Sequence, residues 1–349
     1  MAKKKKEKTF SSFLNNPIDF TLVITILLLL GIGLVMVLSA SSPSALSESG
    51  NSYAYFSKQL LFAILGIIAM IFISKIDYRF YQKFYKHAWW ISILLLIAVK
   101  VMGTEVNGAK RWIKITETFS FQPSEFAKLG LIIFTSKYLA NNTKELKNIK
   151  KGVLPILGVL LLIFGLIMLE PDFGTGVVIV MTIIVLLFIS GVKINFFIKI
   201  GILGLLGVII LILIAPYRLE RIISFINPWT DPLGSGFQII QSLYAIGPGG
   251  LLGLGFGNSI QKHFYLPEPQ TDFIFAIISE EFGFLGVLII STLFITIIYS
   301  GLKISMRCQD NFGKFLAFGI TFGLAFQTIL NLMVVVGLLP VTGVTLPFL

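Results

Sequence analysis

Asp272 stands where a run of turn residues, LPEPQT at 266–271, gives way to a long apolar stretch. A carboxylate at the mouth of a membrane span either takes part in chemistry or closes a loop, and its position leaves both readings open. Thr271 is placed to cap the helix that follows. Further down that helix, Glu280 and Glu281 lie about 12 Å deeper at 1.5 Å per residue. The simpler reading pairs them with a basic group or backbone donors in the bundle. Ala276, Ser279 and Gly283 share nearly one helical face, a groove of small residues able to hold an apolar chain.

A second group of candidates is Arg111-Trp112 with Glu125 and Lys128. The last two are three apart just after a Pro123-Ser124 helix start, so they share a face and can pair. The pair either satisfies itself or lines a cavity for an anionic headgroup. Gln327 and Asn331, four apart, read as residues that join helices. His87 and His263 fall in loops on opposite sides of the membrane, so they cannot share a metal. Cys308 is the only cysteine, so no intrachain disulfide can form. The glycine-rich piece 247–257 lacks the strand and helix that a phosphate-binding fingerprint needs, and reads as a tight loop allowing close backbone approach.

These residues need a membrane scaffold. Of 349 residues, 56% are hydrophobic and 13% charged, and the mean hydropathy is +0.90. A soluble fold would have to expose too much apolar surface. The fold expected is an all-α polytopic membrane protein. Nine apolar runs suit helices crossing a core about 30 Å thick: 20–40, 55–76, 89–102, 123–139, 153–169, 175–190, 196–215, 273–300 and 315–337. Residues 1–17 carry Lys3, Lys4, Lys5, Lys6 and Lys8 and read as a cytoplasmic tail, not a cleaved signal; residues 18–349 form a single membrane domain.

With the tail inside, 19 of the 28 Lys and Arg fall on the cytoplasmic side and 6 outside. The net charge of +11 is therefore an orientation record, not a nucleic-acid surface. Nine carboxylates lie outside, including Asp272. The long outer segment 216–272, between the seventh and eighth runs, holds a ten-residue apolar stretch, 237–246. That stretch is too short to span and reads as a re-entrant or interfacial helix.

The sequence resembles the SEDS peptidoglycan glycosyltransferases, the family of FtsW, RodA and SpoVE. The matching stretches are NGAKRWI (107–113), QPSEFAK (122–128), EPDFGTG (170–176), NPWTDPLGSG (227–236), FQIIQSLYAIGPGG (237–250), GNSIQKHFYLPEPQTDFI (257–274) and LPVTGVTL (339–346). GNSIQK and FYLPEPQTDF are closer to the FtsW/SpoVE branch. The resemblance implies polymerisation of lipid II into glycan strands at the outer face of the bacterial cytoplasmic membrane, in division or sporulation. It also implies a class B penicillin-binding protein as partner, among other divisome or sporulation proteins.

Asp272 takes the place of the family's catalytic residue. Substrate contacts are expected from Arg111, Trp112, Glu125 and Lys128, and from Lys262, Gln238, Ser242 and Glu268. Lys128, Arg111 and Lys262 are the cations available to a leaving pyrophosphate. No cofactor is required; a divalent cation, Mg or Mn, can assist. The family pattern continues past Leu349 into a tenth span. The rival readings are a lipid II flippase and a non-catalytic division scaffold. The absence of an internal repeat matching 216–272 argues against a transporter.

Overall fold

The computed structural model describes residues 18–106, 108–116, 119–214 and 216–349. The basic tail lies outside the described residues. The chain runs as α1 (Phe20–Ser49), α2 (Ala54–Ser74), the short α3 (Arg79–Lys83), α4 (Tyr85–Met102), a small sheet, then α5 (Pro123–Asn141), α6 (Leu154–Leu169), α7 (Phe173–Ile189) and α8 (Ile194–Ile214). There follow α9 (Pro216–Ile226), α10 (Phe237–Ile246), α11 (Ile274–Arg307) and α12 (Asn311–Val335). A helix coincides with each of the nine apolar runs. Among the described residues, seven helices are long and apolar enough to cross a membrane, α6 among them because the helical turn Ile149–Val153 before it extends it to Ile149–Leu169; α7, with 17 residues, is apolar but shorter. α5 has 19 residues but carries Glu125, Lys128 and Lys137.

Several boundaries differ from the sequence expectation. α1 continues through Pro43 to Ser49, where Gly50 adopts a left-handed φ of 69° and its N–H returns to the Leu46 carbonyl. The loop expected to start at residue 41 is therefore mostly helix. After α4 comes a three-stranded antiparallel sheet, β1 (Thr104–Val106), β2 (Ala109–Lys114) and β3 (Ser120–Phe121), which the apolar pattern does not reveal. The segment after α8 begins with α9, whose polar and apolar residues fall on different faces, as in an interfacial helix. The expected ten-residue helix is α10, with Ile239, Ile240, Ser242 and Ala245 buried.

Two apolar clusters hold the bundle. One joins α1, α11, α12 and the C-terminal stretch through Leu29, Met36, Phe273, Phe294, Val344 and Leu346. The other joins α4 to α7 through Leu96, Leu131, Ile163 and Leu186. By contrast, α2 buries only Ala63. The C-terminal stretch threads inward: a Cβ on Gly33 of α1 would lie 2.4 Å from the Phe348 carbonyl oxygen.

α11 is broken. Gly283 has φ 60° and ψ −156°, outside helical space, and divides the helix into two rods. The break frees the carbonyls of Glu280 and Glu281, which accept from the Leu254 and Gly255 N–H groups at 2.9 and 3.0 Å. Below it, the Phe284 and Leu285 N–H groups donate to the Gly250 and Leu251 carbonyls. The glycine-rich loop thus replaces the helix's own hydrogen bonds, which a membrane interior demands. Gly253, at φ 80°, comes so close that a Cβ would sit 2.2 Å from the Glu281 carbonyl oxygen. The close-approach reading of this loop is the one the structure carries out. The small-residue groove is not: Ala276, Ser279 and Gly283 are buried, and the loop backbone fills the space at Gly283.

Candidate active site

The N-termini of α5, α7 and α11 meet at one face of the bundle. Asp172 caps α7, its Oδ1 accepting from the Thr175 N–H at 3.2 Å. Its Oδ2 accepts from Gln122 Nε2 at 2.8 Å and from the Ser124 hydroxyl at 3.4 Å, which pins the start of α5 to the start of α7. Such helix ends carry a partial positive charge and unpaired N–H groups, so the face favours an anion.

Arg111 reaches this face from β2. Its Nε donates to the Glu170 carbonyl at 3.2 Å, and Nη2 donates to the Pro171 carbonyl. These bonds fix the guanidinium against the α6–α7 turn. Strand alternation sends Trp112 to the opposite face of β2, where it is 37% exposed, so it is not brought together with Arg111.

Asp272 lies two residues before α11 and is half-buried. Its carbonyl accepts from Asn331 Nδ2 at 2.8 Å; the same amide group donates to the Val344 carbonyl at 2.8 Å. The side chain faces Gly343, which has φ 71°. A Cβ there would lie 3.7 Å from Asp272 Oδ2 and 3.8 Å from Arg111 Nη1. Carboxylate and guanidinium thus flank the same bare backbone point. Thr271 does not cap α11: its hydroxyl donates to the Glu268 carbonyl, and no side chain caps that helix.

Lys128 joins the same cluster from α5. Its Nζ donates to Glu125 Oε2 and to Gln327 Oε1, each at 2.7 Å. Gln327 Nε2 in turn donates to the Thr345 carbonyl at 3.1 Å. One turn of α12 therefore ties Lys128, the C-terminal stretch and the Asp272 backbone together. Gln327 and Asn331 do join elements, and they also set the position of two candidate residues.

Other candidates fall elsewhere. Lys262 is a correction: it is 4% exposed, forms an ion pair with Glu281 at 2.9 Å and donates to the Ser39 hydroxyl at 3.1 Å. Its charge is matched inside the bundle, leaving none to offer a pyrophosphate. Glu280 accepts from the Ser259 hydroxyl at 2.5 Å and the Ile260 N–H at 2.8 Å, so both deep carboxylates pair within the fold. Ser242 is likewise structural, fully buried with its hydroxyl donating to the Val335 carbonyl at 2.7 Å. Glu268 is exposed in the turn before Asp272, and Gln238 lines a separate pocket nearby.

Sequence reasoning missed Glu170. It is 1% exposed, and neither carboxyl oxygen has a hydrogen-bond partner. Burial, and then the neighbouring Asp172 charge, push its pKa up to about 8, against the pull of Arg111 and Lys100. The only signal was its place in the EPD stretch. Among the described residues, no group of three or more His, Cys, Asp or Glu side chains is arranged to hold a metal.

Comparison with known proteins places this geometry. The family model described as "Cell cycle protein" for FtsW, RodA and SpoVE matches residues 20–349. The chain belongs to the FtsW/RodA/SpoVE family. Stage V sporulation protein E of Bacillus subtilis is 50% identical over 333 residues, covering 95% of this chain and 91% of that protein. A probable peptidoglycan glycosyltransferase FtsW of Aliivibrio salmonicida is 42% identical, covering 89% and 78%. Among solved structures, a chain from work on how a peptidoglycan synthase complex coordinates polymerisation and crosslinking is similar with a TM-score of 0.77 and 29% identity, covering 95% of this chain and 90% of that one. The crystal structure of Thermus thermophilus RodA gives 0.68 and 26%, covering 95% and 89%.

Proposed function

We propose that this family member is a membrane-embedded peptidoglycan glycosyltransferase that polymerises lipid II at the outer face of the cytoplasmic membrane, with its N-terminus inside. The observation that carries the reading is the placement of Asp272 and Arg111 on the same bare backbone point at Gly343, where three helix N-termini converge. In the reaction the 4-hydroxyl of one lipid-linked disaccharide attacks C1 of another, and lipid pyrophosphate leaves. A base must lie within hydrogen-bond reach of that hydroxyl. Asp272 fills this role, taking the proton as the glycosidic bond forms. Arg111 and Lys128, with the helix ends, oppose the charge that grows on the pyrophosphate. A divalent cation, Mg or Mn, would supply further positive charge against the leaving pyrophosphate; among the described residues no cluster of side chains is arranged to hold one.

The chain works beside a class B penicillin-binding protein that crosslinks the new strands, in division or sporulation. The similarity to a synthase-complex chain and to a sporulation protein supports this assignment. The decisive experiment supplies lipid II to the purified chain, with and without that partner. Wild type forms glycan polymer and Asp272→Ala forms none, while insertion and thermal stability stay unchanged. Polymerisation by Asp272→Ala at the wild-type rate removes Asp272 from the mechanism. Headgroup translocation in proteoliposomes without polymer favours the flippase instead.

A further inference from the structure

Beside the site, on the same face, lies a cavity of about 400 Å³, within the range that holds small ligands. Glu220 and Ser224 of α9, residues 233–239 and Pro267 line it, and Val341 closes the wall. It adjoins Asp272 through two segments. Pro267 is five residues before Asp272, and Val341 is two before Gly343, at most about 7 Å along an extended chain.

The lining is divided in character. Leu233, Phe237, Ile239, Pro267 and Val341 are apolar, which suits short aliphatic side chains. Four polar side chains interrupt them. Ser224 and Ser235 are engaged locally, with the Glu220 carbonyl and the Asp231 carboxylate. Glu220 and Gln238 differ: neither makes a hydrogen bond or ion pair with any residue whose side chain is described. The pocket therefore offers one negative charge and one amide to whatever enters. An anionic sugar pyrophosphate does not fit beside Glu220, whereas an amine-bearing peptide does.

We infer that this pocket receives the peptide stem of the lipid-linked substrate, with Glu220 pairing with the primary amine of its diamino acid and Gln238 bonding to its peptide backbone. The inference rests on the reading of lipid II as substrate and adds a second contact to it. It also explains why segment 216–272 is built as a structure of its own.

The test compares binding of two probes to the purified chain in nanodiscs: lipid II with its free amine, and lipid II acetylated at that amine. For a solvent-accessible ion pair the expected effect is about three- to fivefold. Wild type binds the acetylated form weaker by that factor. Glu220→Gln binds native lipid II weaker by the same factor and no longer distinguishes the two. Equal binding of both probes by wild type overturns the inference, as does full discrimination retained by Glu220→Gln. Polymerisation of native lipid II is followed in parallel. Discrimination without polymer leaves the pocket standing and defeats the enzymatic reading; polymer without discrimination does the reverse. Failure to bind either probe defeats both.

Discussion

The Glu170 carboxyl is the residue whose environment is least settled by its neighbours. Its backbone carbonyl holds Arg111, while its side chain is buried beside Asp172 without a hydrogen bond. With a pKa of about 8 it keeps its proton in the fold at pH values where the unfolded chain has lost it. The folded state then binds more protons, so stability falls as pH rises from about 4.5 to about 8. Glu170→Gln keeps the shape and removes the titration. Its melting temperature in detergent should exceed that of wild type at pH 8 by the equivalent of about 2–4 kcal/mol, and the two should converge near pH 5. Parallel curves across that range would show that Glu170 stays ionised in the fold. This residue illustrates what remains hidden at the smallest scale. Asp272, Arg111, Glu125 and Lys128 stand out because they are charged residues in distinctive stretches. The roles of Glu170, Asp172 and Gln122 arise only where the turn before α7 meets the turn before α5, residues 50 apart in sequence for the Gln122–Asp172 bond. Lys262 misleads for the same reason: its partner Glu281 becomes visible only once the loop folds back onto α11.

The device that brings Lys262 there is the splice at Gly283. Each of the nine long helices of the bundle was legible as an apolar run, since a bilayer fixes the length of the element that crosses it, whereas α3 and the amphipathic α9 were not. The break was not, because glycine is common in unbroken membrane helices. What makes it a break is the loop 250–255, which supplies replacement donors and acceptors on both sides. The ion pair clamps this junction from the side of α1, through Ser39. Removing the cation alone strands a buried carboxylate, which costs about 3–5 kcal/mol. Lys262→Met should therefore lower the melting temperature sharply, while Lys262→Met with Glu281→Gln should recover most of the loss. Equal destabilisation by the single and double variants would mean that the lysine stem, not its charge, holds the junction.

At the scale of the whole molecule, the charge distribution and the site argue for the same orientation by independent routes. The proposed orientation puts the Lys- and Arg-rich end of the bundle, where α1 begins, in the cytoplasm, as the positive-inside rule expects. Asp272, the α5, α7 and α11 N-termini and the segment 216–272 lie at the opposite end, the one that under the proposed function faces the growing wall. The α11–α12 turn, with Cys308 beside Tyr78 and Asp310, lies at the tail side. Cys308 is the chain's only cysteine, so it reports on that side without competition. Leu233, 88% exposed in the segment near the site, gives the opposite reporter as Leu233→Cys in a Cys308→Ser background. A membrane-impermeant maleimide applied to intact cells should label the Leu233→Cys chain at once and wild type only after permeabilisation. The reverse pattern would put Asp272 in the cytoplasm, where the base could not act on strands growing outside.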